Sequence, residues 1–151
     1  MDLRLDDLTH PEILDLLREH LRCMAEVSPP ESRHALNIDE LRQPDVTFWS
    51  IWDGARLAGC GALKEIDAGH GEIKSMRTAY AYQRQGVASE IVRFLIEEAK
   101  RRGYRRLSLE TGSMAYFKPA RRLYTRFGFE ICEPFASYRV DPNSIFMTRE
   151  L

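Results

Sequence analysis

One short run of residues, Gln83-Arg84-Gln85-Gly86-Val87-Ala88, carries the densest chemical information in this chain. It stands where a strand-like segment gives way to the longest amphipathic helix of the sequence. Glycine and small side chains there let the backbone approach a ligand closely, and the amides that open a helix bind phosphate oxygens. Arg84 adds a formal charge and Ser89 a hydroxyl. The run lacks the G-x-G-x-x-G of a dinucleotide site and the G-K-S/T of a phosphate loop, so neither of those nucleotide readings has a motif behind it. His10, His20, His34 and His70 form no H-E-x-x-H pair, and Cys23, Cys60 and Cys132 form no C-x-x-C. No metal site is therefore expected, and the thiols read as reduced and packed in the interior.

The elements that must position this turn follow from periodicity. Leu3 and Leu5 alternate with polar neighbours as a short first strand. Thr9 and Glu12 form a capping-box pattern with Pro11 inside the first turn, opening a helix to about Met24 whose apolar face is Ile13, Leu17 and Leu21, widened by Leu14 and Met24. Ser28-Pro29-Pro30-Glu31 breaks it, and Ile38 to Arg42 adds one helical turn. Val46–Trp52 and Leu57–Ile66 flank Asp53-Gly54 as a hairpin. After the loop at Asp67 to Gly71, Glu72–Thr78 reads as a strand. Val87, Ile91, Val92, Leu95, Ile96 and Ala99 then recur at helical spacing up to Gly103. Arg106–Glu110 is the next strand. Ala120, Leu123, Tyr124 and Phe127 mark a last helix, with Pro119 in its first turn and Gly128 at its end. Phe129–Glu133 and Ile145–Leu151 complete the set. The order predicts an α/β domain spanning residues 1–151, with a mixed sheet and helices on both faces.

Composition narrows the classes. The chain has 151 residues, 22 Lys plus Arg against 23 Asp plus Glu, and 44% hydrophobic residues. That length buries roughly 70% of the unfolded chain's surface, enough for one core. A net charge of -1 gives no bulk attraction to nucleic acid or an anionic membrane. The start, MDLRLDD, is acidic where a secretory leader is basic, and no run approaches the ~20 apolar residues that span a bilayer, so a cytoplasmic location is expected. Charge is uneven, however: residues 1–45 hold eleven acids and five bases, residues 74–126 thirteen bases and four acids. Lys100, Arg101, Arg102, Arg105 and Arg106 suit a solvated helix end; as a nucleic-acid surface they lack interleaved aromatics beyond Tyr104.

With these residues in place the sequence resembles the GNAT superfamily of N-acetyltransferases, whose acetyl-CoA loop reads Q/R-x-x-G-x-G/A. Gln83, Gly86 and Ala88 fill the three specified places. A second hallmark of the family is the helix ending Leu123-Tyr124-Thr125-Arg126-Phe127-Gly128-Phe129. The resemblance covers roughly Phe48 to Phe129. It implies a mostly antiparallel sheet of about seven strands splayed between the fourth and fifth, and acetyl-CoA as co-substrate. The pyrophosphate would lie on amides from Arg84 to Ala88, beside Gln83 and Ser89, and the pantetheine along the strand at Met76, Arg77 and Thr78. Tyr80 stands where many members have Pro, and Thr111-Gly112-Ser113 where many carry Asn.

Acetyl transfer to an amine needs a deprotonated nucleophile, a stabilised oxyanion and a proton for the departing thiolate. The resemblance assigns the last to Tyr124 as general acid, against simple packing with Leu123 and Phe127. For the base, Glu72 stands eleven residues before Gln83, the offset of the glutamate base in the histone-modifying branch of the family. Glu110 is its main rival, with Glu65 behind. Oxyanion donors would be backbone N–H groups at Met76 or Thr78. Lys64, Lys74, Arg77 and Arg139 could meet a carboxylate, and Phe135, Tyr138 and Phe146 an apolar wall, which favours a small amino-acid-like amine. The acidic N-terminal third favours a polyamine or a lysine side chain instead. The expected activity is thus direct acetyl transfer in a ternary complex to a small-molecule amine. The alternatives are a non-catalytic acyl-CoA-binding module and a protein lysine or N-terminal acetyltransferase. A homodimer paired through exposed strand edges is compatible with the sequence.

Overall fold

Strand and helix segments follow one another as the periodicity predicts. The computed structural model describes residues 1–151 as β1 (Asp2–Leu5), α1 (Pro11–Val27), α2 (Ile38–Leu41), β2 (Val46–Asp53), β3 (Arg56–Asp67) and β4 (His70–Thr78). These are followed by α3 (Val87–Arg101), β5 (Arg106–Gly112), α4 (Lys118–Arg126), β6 (Glu130–Cys132) and β7 (Ser144–Glu150). Short 3-10 turns lie at Pro30–Ser32, Tyr80–Tyr82 and Ala115–Phe117.

The strands form one seven-stranded sheet in the order β1-β2-β3-β4-β5-β7-β6. Only β4 and β5 run parallel, and their register covers no more than His70 with Arg106, Gly71 with Leu107 and Glu72 with Ser108. Beyond Glu72 the two strands part, which is the splay expected of this sheet. One face packs Val87, Ile91, Leu95 and Ala99 of α3 with Leu123 and Tyr124 of α4. The other packs Ile13, Leu16 and Leu17 of α1 with Leu41 of α2.

Two features of β3 and β4 bear on the site. Ser75 has φ +54°, and the register against β3 slips between Cys60 and Ala62, so β4 carries a bulge there. An extra residue reverses the alternation of side chains. Ile73 and Met76 therefore join the core under α3, whereas Lys74 and Arg77 both reach toward the α1 side. Close approach of α3 is the second feature: a Cβ on Gly59 would sit 2.8 Å from the Arg77 carbonyl and 3.1 Å from Val87.

Several expectations need correction. Thr9 does not cap α1; its N–H and hydroxyl both donate to Asp7 Oδ1, and His10 Nδ1 accepts from the Glu12 amide instead. Pro11 is the cause, because the residue before a proline is kept out of helical geometry, so the helix starts one residue later than the capping box requires. The buried stripe of α1 is Ile13, Leu16, Leu17 and His20, with Leu14, Leu21 and Met24 only partly covered. A histidine facing β4 is invisible to an apolar count, and it rotates the face. Of the thiols only Cys60 is buried; Cys23 and Cys132 are half-buried, and all three are free. The basic run is partly neutralised within its helix, where Arg101 and Arg102 both pair with Glu98.

Gly59→Ala should force α3 off the end of β4 and lower unfolding stability by about 1–3 kcal/mol, read by chemical denaturation.

Candidate active site

At the open end of β4, the chain passes Thr78 and the Tyr80–Tyr82 turn and enters α3 at Val87. Arg84 (φ +61°) and Gly86 (φ +82°) both take left-handed conformations, which turns the amides outward. Gln83, Arg84, Gln85 and Gly86 are exposed. No side chain caps the helix, and none of the amides from Arg84 to Ser89 donates to another backbone group. A Cβ on Gly86 would meet nothing within 4 Å. The segment is thus an uncapped helix N-terminus with free donors and a positive dipole end, the physical form of an anion site.

The same end of the sheet holds the candidate acid–base groups. Tyr124 lies 6% exposed on α4, edge-on to Phe129 at 5.9 Å. Burial and the nearby Glu110 carboxylate both push its phenol up, so it keeps its proton at neutral pH. Glu110 lies on β5 two residues past the last paired position. Burial raises its carboxyl to about 7, with Glu72 and Asp141 adding to the effect and Ser144 and Lys74 opposing it.

Glu72 is in a different condition. It is 3% exposed, and its Oε2 accepts from Lys74 Nζ at 3.3 Å and from the Tyr138 hydroxyl at 2.5 Å. Glu65 lies away from these groups, exposed and accepting from the Tyr104 hydroxyl at 2.7 Å.

Around them, several residues expected to meet the acceptor are already engaged within the protein. Arg77 donates to Glu19 at 2.9 Å and to Cys23 at 3.3 Å on α1, and its Nε is buried without a partner. His20, beside it, is pushed down to about 4 by burial and by Arg77. Phe135 and Phe146 do not form an open wall: both are buried, packed with Tyr138 in one aromatic cluster. Lys64 is half-buried on β3 and Arg139 exposed in the loop before β7. Thr111 is buried, and Ser113 donates to the Pro142 carbonyl at 2.6 Å.

Sequence reasoning missed His34, Asp141 and Ser144 as neighbours of this site. Each belongs to a loop or strand start with no spacing signal, and each arrives through contacts across more than thirty positions, such as Lys74 to the His34 carbonyl, Ser32 to Asp141 and Ser144 beside Glu110.

A free helix N-terminus, a sheet that opens beside it, and a carboxyl and a phenol near the opening together describe a group-transfer site for an anionic donor. A profile of the acetyltransferase (GNAT) family matches residues 13–129. The uncharacterized N-acetyltransferase YsnE of Bacillus subtilis is 60% identical over the full length of both chains. The uncharacterized N-acetyltransferase YedL of Escherichia coli is 53% identical over 99% of this chain and 94% of its own. A GNAT family acetyltransferase from Elizabethkingia anophelis, solved with acetyl-CoA bound, superposes with a TM-score of 0.72 over 99% of this chain and 97% of that one, at 22% identity. This chain belongs to the acetyltransferase (GNAT) family and is an N-acetyltransferase.

Because the folded-state value of Glu110 lies above that of the unfolded chain, its burial favours the protonated form. That contribution is complete at acid pH and is lost as pH rises through about 7. Glu110→Gln should therefore gain stability relative to the parent between pH 5 and pH 8, on the order of 2 kcal/mol, measured as the pH dependence of the difference in unfolding free energy.

Proposed function

We propose that this chain transfers the acetyl group of acetyl-CoA directly to the amine of a small molecule, with both substrates bound at once. The observation that carries the reading is the row of unpartnered amides from Arg84 to Ser89 beside the gap between β4 and β5. Acetyl-CoA supplies an activated acyl thioester and a diphosphate. The amides of Arg84 to Ala88 bind the diphosphate, Arg84 adds charge, and Gln83, Gln85 and Ser89 flank it. The freed edge of β4 at Met76, Arg77 and Thr78 pairs with the pantetheine amides as a missing strand would.

Glu110 removes the proton from the attacking amine. The amine nitrogen bonds to the acyl carbon while the bond from that carbon to sulfur breaks, and Tyr124 passes its proton to the departing sulfur. A main-chain N–H group at Met76 or Thr78 donates to the oxygen on which negative charge develops. Glu110 fits the base better than Glu72 because its ionisation falls near neutral pH and it is not held by an ammonium.

A small amine is favoured over a polycation because most of the acids of the N-terminal third are engaged within the protein. Asp2 pairs with Arg4, Asp15 with Arg18, Glu19 with Arg77, and Glu40 caps α2. None of these carboxylates is left to gather along the gap.

Incubation with acetyl-CoA and a panel of amino acids, polyamines and a lysine peptide, read as free thiol and acetylated product, tests the assignment. Product on a small amine is expected; thiol release that never depends on an amine would overturn it. Gly86→Glu places a bulky anion where a ligand would sit and should weaken CoA binding by roughly 100-fold or more in calorimetry. Tyr124→Phe should lower kcat by about 100-fold with little change in CoA affinity. The parent rate should rise with pH through about 7 and lose that limb in Glu110→Gln.

A further inference from the structure

The last paired position of the parallel strands sets Glu72 opposite Ser108. Two residues further on, Lys74 and Glu110 follow on the same side of their strands, one on each side of the opening. Lys74 is the hub of what lies between. Its ammonium donates to Glu72 Oε2 at 3.3 Å, to the Tyr138 hydroxyl at 2.8 Å and to the His34 carbonyl at 2.9 Å. Those are all three hydrogens an ammonium has. The Tyr138 hydroxyl passes its own hydrogen to Glu72 Oε2. His34 stacks edge-on against Tyr138 at 4.9 Å, and Ser32 donates to Asp141 at 2.5 Å, so the segment before α2 and the loop before β7 close over the pair. Glu72 and Lys74 are 3% and 8% exposed.

We propose that Glu72, Lys74 and Tyr138 form a positioning network that sets the electrostatic environment of Glu110 rather than exchanging protons with the acceptor. The inference rests on the reading of Glu110 as the base. Lys74 has no free donor to offer a substrate, and two donors already converge on one oxygen of Glu72. What the pair offers Glu110 is a fixed positive and a fixed negative charge on the neighbouring strand, which act on its proton in opposite directions. The other groups that face Glu110 are Asp141 and Tyr138 from the loop before β7, Ser144 from β7 and Tyr124 from α4. Of these, only Asp141 brings a formal charge. Removing one member of the pair therefore leaves the other uncompensated beside Glu110, with opposite signs in the two cases.

The test is a carbon-13 NMR titration of the Glu110 carboxyl in the purified, labelled full chain, which needs no acceptor. Glu72→Gln keeps an oxygen for both donors and leaves the Lys74 charge, so the midpoint should fall by about one pH unit. Lys74→Met leaves the Glu72 charge, so the midpoint should rise by a similar amount. Lys74→Arg should restore the parent value. Midpoints that stay fixed, or that move the same way in both variants, overturn the network. If Lys74→Met does not fold, Glu72→Gln decides alone. In the acetyl-transfer assay, the limb near pH 7 should shift with the titration in Glu72→Gln. Loss of turnover at every pH in that variant would make Glu72 the base and overturn the proposal. Glu110→Gln separates the two layers. A retained limb there refutes the base assignment, whereas a lost limb with unmoved midpoints in the pair variants refutes only the network.

Discussion

The parting of β4 and β5 after three paired residues is the constraint on which the rest of the molecule depends. A sheet that opens in its middle leaves main-chain donors and acceptors without partners, and such groups are costly to bury. The bulge at Ser75 falls just beyond the last paired residue, where an added residue sharpens the local twist. On the far side, α3 is drawn tightly to the sheet because Gly59 and Gly61 present no side chains to it. The helix N-terminus is thereby fixed beside the opening. Free amides of the loop and free edges of the strands thus meet in one place, and a ligand that is anionic at one end and amide-bearing along its length satisfies both.

Charge distribution in the sequence suggested two poles, one acidic and one basic, and the structure resolves them differently. Most of the acids before Asp45 serve as local partners: Asp6 accepts from the Ser50 hydroxyl, Asp7 from Thr9, and Asp39 sits near Arg42. On the basic side, Lys100, Arg101 and Arg102 face glutamates one turn away, and Arg121 ties α4 to the end of β5 through the Gly112 and Met114 carbonyls. Arg84, Lys118, Arg122 and Arg126 remain exposed. Bulk counts thus overstate both fields; only the residues left over after local pairing act at a distance.

How much of this was legible depends on the range over which each signal acts. The order of strands and helices follows from periodicity within about fifteen residues, as at Val87 to Ala99, and from the glycines at 86 and 128, whose positive φ angles bound helices. The start of α1 was misread because two local rules conflicted and the proline prevailed over the threonine. Glu72 and Glu110 were recognisable as carboxylates on neighbouring strands, and the offset from Gln83 put Glu72 first, but spacing said nothing of what surrounds either one. The difference comes from Tyr138, sixty-six positions from Glu72, and from Lys74, whose role is defined only once the loop before β7 folds over it. Phe135 and Phe146 likewise look like a wall in the sequence and become a packed cluster because their loop and strand supply one another's neighbours.

The two carboxylates show how one sheet gives the same functional group two environments. Glu72 is pinned by an ammonium and a phenol, whereas Glu110 has only a partial counterbalance to its burial, which holds its proton near the neutral boundary. Stability gives little reason to keep the first arrangement, since a buried ion pair roughly breaks even against well-packed apolar side chains of similar size. Leucine and methionine at positions 72 and 74 would fill the space under the segment before α2 and the loop before β7 without the desolvation of two charges. An ion pair at that depth, on the strand beside a carboxyl that burial poises near neutral pH, is better accounted for by what it does to that carboxyl than by what it does for the fold.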